Sequence, residues 1–186
     1  MLNSFYDKFV FTNGLQFRHS NFFLINLPFV MLPVDVLAAI AEKEDKALNL
    51  SVYYSVKAAI SGDVRDRFKI DFGVEGEKGL AFMESYISAS GWGQIDRTDL
   101  DFENARALVS VTDSPVAAAC KNVKAPVDAF MRGFLAGLFT VYFGRNVECI
   151  ESKCAALGES HCDFVIKPIE EFNFENLLTR AQLKID

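Results

Sequence analysis

Glu151, Cys154 and Cys162 lie within twelve positions of one another, and Gly158 falls midway between the two thiols. A tight turn at Gly158 would fold both sulfurs back onto one ion, with Glu151 as a harder third ligand. Zinc accepts that mixture because its filled d shell imposes no geometry, and tetrahedral sites of sulfur and oxygen suit it. Two thiols and a carboxylate do not close a tetrahedron, so a fourth ligand has to come from elsewhere. Cys149 shares a strand face with Glu151 by two-residue alternation and would crowd it. His161 adjoins Cys162, which makes joint ligation awkward. The alternative is a buried turn that keeps its cysteines and holds no metal. His19 reads as a surface or turn residue, and Cys120 as a small buried hydrophobe.

Little else in the chain suggests catalysis. There is no glycine-rich phosphate loop and no Gly-x-Ser-x-Gly elbow, and a Ser-His pair would have to recruit one of just two histidines. Asp99, Asp101 and Glu103 read as a solvated acidic loop. A ligand set drawn mostly from one turn suits structural closure better than chemistry, so the protein reads as non-catalytic.

The 186 residues are enough for one domain with a real core, and 51% hydrophobic with 24% charged residues is a globular composition. Eighteen Phe against one Trp and five Tyr bring large apolar area without polar handles. A net charge of −6 without a basic cluster excludes a nucleic-acid binder and argues against anionic lipid. The most apolar stretch, residues 22–36, contains Asn26, Pro28, Pro33 and Asp35 and is too interrupted to span a bilayer. Four cysteines without a secretion signal at the N-terminus point to the cytoplasm, where thiols stay free or bind metal.

The elements that must position the thiols follow from periodicity. Residues 1–31 form a β-rich lead-in, with a hairpin predicted around Asn13-Gly14. Residues 32–186 form a single ligand-binding domain. Pro33 opens a helix, and further helices are predicted over about 48–60, 77–89, 126–143 and 172–185. Strands are predicted over 93–97, 105–111, 146–150 and 162–166, the last pair enclosing the thiol loop. Helices and antiparallel strands in blocks give an α+β fold, an antiparallel sheet against helices with a short N-terminal hairpin.

Gly91-Trp92-Gly93, Ser114, Gly133-Phe134-Leu135-Ala136-Gly137, Gly144-Arg145 and Glu151-x2-Cys154-x3-Gly158-x3-Cys162-x-Phe164 stand in an order and spacing that resemble the 4-vinyl reductase domain family. The resemblance runs from about Leu80 to Pro168. It implies an α+β fold similar to that of small trafficking-complex subunits that hold acyl chains. In the family's sensor members, a Cys at the head of the Gly-x3-Gly helix joins Glu, Cys and Cys in binding zinc. Here that position is Asp128, so the resemblance implies an O2S2 site of Asp128, Glu151, Cys154 and Cys162. The family name implies reduction of a vinyl group, yet nothing in the chain would hold a hydride donor.

A glycine-faced helix against a sheet in a Phe-rich domain can leave an apolar cavity between the layers. Its expected walls are Trp92, Phe130, Phe134, Leu138, Phe139 and Tyr142. With no histidine in that region, a phenol is disfavoured against a hydrocarbon, isoprenoid, acyl chain or tetrapyrrole. The expected function is binding or sensing of a hydrophobic small molecule by a homodimer paired through residues 9–30, with a structural zinc closing the C-terminal hairpin. The alternatives are an accessory subunit of a tetrapyrrole vinyl-reducing enzyme and a lipid-holding adaptor. With no effector domain read in the chain, a signal is expected to pass to a partner protein.

Overall fold

The computed structural model of the chain describes residues 15–24, 27–64 and 76–184. Its first element is a three-stranded antiparallel sheet of β1 (Leu15–Arg18), β2 (Asn21–Leu24) and β3 (Leu27–Phe29). The hairpin expected at Asn13-Gly14 lies outside the described residues. The hairpin that is described turns at His19-Ser20, where Arg18 pairs with Asn21. Both turn residues have positive φ, 48° and 63°, as a two-residue turn matched to strand twist requires. Phe17, Phe22 and Phe29 are successive cross-strand partners, so their rings share one face of this sheet.

Two helices follow. α1 (Val34–Ala41) opens at Pro33, as expected, and α2 (Lys46–Ala59) is capped by Asp45, whose side chain accepts from the N–H of Leu48. A wider turn over Ile60–Val64 ends α2 around Gly62. α3 (Gly76–Ala89) buries Leu80, Met83 and Ile87.

The main sheet is antiparallel in the order β4-β5-β7-β6, with β4 (Gln94–Asp101), β5 (Arg106–Thr112), β6 (Glu148–Lys153) and β7 (Cys162–Lys167). β4 runs past its predicted end through a bulge between Arg97 and Asp99. Asp99 and Asp101 therefore belong to a strand and not to the acidic loop expected from sequence. Asp101 instead caps the turn, accepting from the backbone and side chain of Asn104.

A short helix not foreseen in the sequence, α4 (Pro115–Ala119), follows β5 and is capped by the Ser114 hydroxyl. α5 (Ala129–Phe143) then runs through the centre of the domain. It begins three residues later than predicted because Asp128 is its N-cap, accepting from the Met131 N–H at 2.8 Å. Gly144 ends it in the left-handed conformation. The last helix, α6 (Leu177–Leu183), is shorter than expected, because a single 3₁₀ turn occupies Ile169–Glu171 and Asn176 caps the start.

Ten consecutive or near-consecutive residues of α5, from Ala129 to Phe139, are buried, so the helix is covered nearly all round. Two glycines permit this. A Cβ on Gly133 would stand 2.5 Å from the Tyr53 carbonyl oxygen, and one on Gly137 would stand 2.8 Å from the Lys57 carbonyl oxygen. Both clashes are with the backbone of α2, which cannot rotate away. The contact is sealed beside it by a buried polar network. Tyr53 Oη and Lys57 Nζ donate to the two oxygens of Glu148 on β6, at 2.5 and 2.7 Å. Arg132 of α5 lies over the Tyr53 ring and donates to the Gln182 carbonyl.

Helix propensity alone predicts that Gly133→Ala stabilises the protein by about 1 kcal/mol. The backbone clash predicts the reverse, a loss of about 1–3 kcal/mol. Urea denaturation should show the loss.

Candidate metal centre and apolar cavity

β6 and β7 are joined by residues 154–161, and the ladder between them ends at the Lys153–Asp163 pair. Past it, a 3₁₀ turn over Ala155–Leu157 closes at Gly158, whose φ of 97° is the left-handed geometry the sequence anticipated there. The turn carries Cys154 back over Cys162, and Glu151 reaches the same point from the strand. One ligand atom from each of the three residues lies within 4.8 Å of those of the other two, and all three residues are buried. The three residues singled out by spacing are therefore brought together.

The local chemistry suits a cation. Glu151 is fully buried, and its Oε1 has no hydrogen-bond partner among the described residues. Its Oε2 accepts from the Asp128 N–H at 2.9 Å. Burial pushes the Glu151 carboxyl well above the usual carboxylate range, and the neighbouring Cys154 and Asp128 charges add to that. Cys154 and Cys162 hydrogen-bond to each other: the bond from Cys162 pulls the Cys154 thiol down to about 5, and the same bond pushes Cys162 up. The Ala155 N–H donates to the Cys162 sulfur at 3.3 Å. A buried polar atom without a partner, two sulfurs supported by backbone N–H groups and a nearby second carboxylate fit a divalent metal of borderline softness.

Asp128, the fourth residue implied by the family resemblance, adjoins this cluster without belonging to the three-membered group. It is buried, its Oδ1 caps α5, its backbone N–H holds Glu151, and burial pushes its carboxyl up to about 6. The other sulfur and imidazole candidates point elsewhere. Cys149 is buried, and its N–H donates to Tyr53 Oη. His161 Nε2 stands 3.0 Å from Asp163 Oδ1, a carboxylate that Lys153 and Ser110 also engage. Cys120 faces the Ala38 carbonyl, its thiol pushed up to about 11 by burial. Gln182 of α6 was not anticipated: its side chain accepts from the N–H of Glu151 and donates to the Glu151 carbonyl, at 2.8 and 2.9 Å. It thereby satisfies the backbone of the edge strand at the site and fixes the position of the Glu151 carboxylate.

A cavity of about 810 Å³ lies on the other side of α5. Three of the expected walls line it: Trp92, Phe130 and Phe134. Trp92 and Phe130 stack at 4.0 Å between centroids with 4° between planes. Leu138, Phe139 and Tyr142 are not among its walls, a correction with a simple cause. Leu138 and Phe139 sit one to two turns further along α5, buried in the core, and Tyr142 Oη donates to Glu77 at 2.6 Å. The remaining walls come from α3 (Met83, Tyr86 and Ile87), from α1 and from residues 28–32, which the sequence had read only as a dimer contact. The helical spacing of Leu80, Met83 and Ile87 on α3 was the available signal for one wall.

Fold and site together define a small α+β domain with a thiol-bearing hairpin at one end of a buried helix and an apolar cavity beside it. Residues 108–168 match the model of the 4-vinyl reductase domain, and this stretch belongs to that family, the one its motifs resemble. The fold is similar over 100% of both chains to the phenol-responsive sensory domain of the transcription activator PoxR with phenol, at TM-score 0.74 and 14% identity. It is also similar to a vinyl-4-reductase family protein from Methanocaldococcus jannaschii, over 76% of this chain and 84% of that one, at TM-score 0.50 and 15% identity. At these identities the likeness concerns the fold alone. No curated protein matches the sequence. No helix among the described residues is long and apolar enough to cross a membrane.

A metal ion at this cluster must displace the protons that Glu151 and Cys162 hold, so its affinity should rise with pH, by about a decade per pH unit for each proton displaced. Competition against a chromophoric chelator at several pH values checks this. Glu151→Gln, which keeps the shape and removes the charge, should weaken the metal at every pH.

Proposed function

We propose that this protein binds or senses a hydrophobic small molecule without transforming it, and that zinc held by Glu151, Cys154 and Cys162, with Asp128 as the fourth ligand, closes its C-terminal hairpin. The observation that carries this reading is the cavity of about 810 Å³ with apolar walls on every element that lines it. A space of that size is within the range of small-molecule sites. Its polar groups are few: the Ser90 hydroxyl donates to the Tyr86 carbonyl, and no histidine or charged side chain among the described residues lines it. A phenol hydroxyl has little to meet there, which favours a hydrocarbon, isoprenoid, acyl chain or tetrapyrrole. The likeness in fold to a domain crystallised with phenol supports ligand binding as the role of such a cavity. The zinc has a structural part: it would neutralise the buried carboxylates and thiolates, hold the β6–β7 hairpin against the start of α5, and so keep Phe130 and Phe134 in place.

The active form is a homodimer paired through the N-terminal sheet, which presents the signal to a partner protein. Phe17 is 63% exposed and Val30 84% exposed, with Leu15, Met31 and Leu32 exposed nearby in sequence. So much apolar surface on a short sheet and the segment leaving it favours a partner surface over solvent. Residues 9–14 of the proposed interface lie outside the described residues.

Native mass spectrometry of protein purified from cells without chelator should show one zinc per chain and, after denaturation, a released apolar molecule. Protein without zinc and without ligand would overturn both halves of the proposal. Trp92→Ala should lower affinity for an apolar fluorescent probe and leave zinc content unchanged. Sedimentation should show a dimer at tens of micromolar that Phe17→Glu converts to monomer.

A further inference from the structure

The two hairpin cysteines stand where a disulfide can form. The last ladder pair between β6 and β7 is Lys153 with Asp163, so Cys154 and Cys162 are the next residues facing each other across the hairpin. Directly opposed residues of an antiparallel pair have Cα atoms about 4.5–5.5 Å apart, inside the range of about 4.4–6.8 Å that a disulfide spans. Their sulfurs belong to the cluster whose atoms lie within 4.8 Å, and they already hydrogen-bond to each other. Cys162 is held in an inner strand by pairing with Val111, whereas Cys154 sits at the junction of strand and turn, where a small rotation can close the gap. Cys120 and Cys149 are buried outside this cluster, with sulfur contacts to the carbonyls of Ala38 and Ile150. Both thiols of the pair are themselves buried, but the turn that covers them is exposed at Leu157 through Ser160.

We propose that, when no metal occupies the hairpin, Cys154 and Cys162 are an oxidation site at which hydrogen peroxide or a related hydroperoxide forms an intramolecular disulfide. One thiol sulfur attacks the peroxide, the O–O bond breaks, and a sulfenic acid and one water leave the step. The second sulfur attacks that sulfenic sulfur, the S–O bond breaks, and the second water departs with the thiol proton. In sum, two thiols and one peroxide give one disulfide and two waters: each sulfur is oxidised by one electron, and the two peroxide oxygens are reduced. The disulfide has no thiolate to offer, so the oxidised hairpin cannot take up zinc until a thiol reductant reopens it. The geometry of the pair carries this proposal, which does not depend on the zinc reading.

The test treats metal-stripped protein with hydrogen peroxide and follows thiol count, intact mass and a non-reducing peptide map. The expected result is the loss of two of the four thiols, a mass lower by two hydrogens, and a peptide linking Cys154 to Cys162. Dithiothreitol should restore all four thiols. Cys120→Ser, which removes a thiol outside the pair, should still form the link, and Cys154→Ser should not. A link through Cys120 or Cys149, four surviving thiols, or the same mass loss in Cys154→Ser would overturn the proposal. Zinc added before peroxide should preserve all four thiols. Oxidation unchanged by zinc would overturn the zinc reading and leave the disulfide standing, so the two claims fail separately.

Discussion

The close approach of α2 to α5 is the contact on which the rest of the protein depends. Gly133 and Gly137 bring the backbone of one helix against the side chains and carbonyls of the other, closer than any Cβ would allow. This fixes α5 as a helix covered on nearly all sides, between α2 and the four-stranded sheet. Both candidate sites then follow from one rigid element. Its capped start brings Asp128 beside Glu151 and the hairpin thiols. Its first two turns carry Phe130 and Phe134 into the cavity. A change at either end is therefore transmitted along a short helix that has little freedom to bend.

Electrostatics in this core follow one rule: buried charges are engaged by several partners at once. Glu148 is met by Lys57 and Tyr53 from α2. Arg132 faces the Tyr53 ring and the Gln182 carbonyl. Asp163 is shared by Lys153, His161 and Ser110. Glu151 departs from this pattern, with one oxygen buried and unpartnered next to two hydrogen-bonded thiols. A site built so that its ligands are buried before the ion arrives accepts a cation in exchange for protons. The same thiol pair, without a cation, is positioned to be oxidised.

The cavity owes its outer wall to the least regular part of the domain. Residues 28–32 leave the N-terminal sheet, line the cavity and remain largely exposed on their other side. The segment thus joins the cavity to the proposed dimer surface, and occupancy of one is felt at the other through a few residues of chain.

Much of this was legible in the sequence, and the residues show why. Glu151, Cys154 and Cys162 were readable because a metal hairpin is a local object, set by the spacing of three ligands about a glycine that permits the turn. The helices beginning at Pro33, Lys46 and Gly76 were readable for the same reason, since periodicity and caps act within a few residues. The hairpin at His19-Ser20 was missed because neither residue is a glycine, although both adopt positive φ. The role of Gln182 and the placement of residues 28–32 against Trp92 and Phe130 were not readable, because they join positions far apart in the chain. Leu138, Phe139 and Tyr142 carry the apolar signature of wall residues, yet only the angle at which α5 meets its neighbours decides which turns face the cavity. Sequence alone determined the chemistry of the hairpin and the α+β class, since both rest on local spacing; the cavity, the partners of Glu151 and the orientation of α5 were decided by tertiary structure, since each is set by close contact between elements distant in sequence.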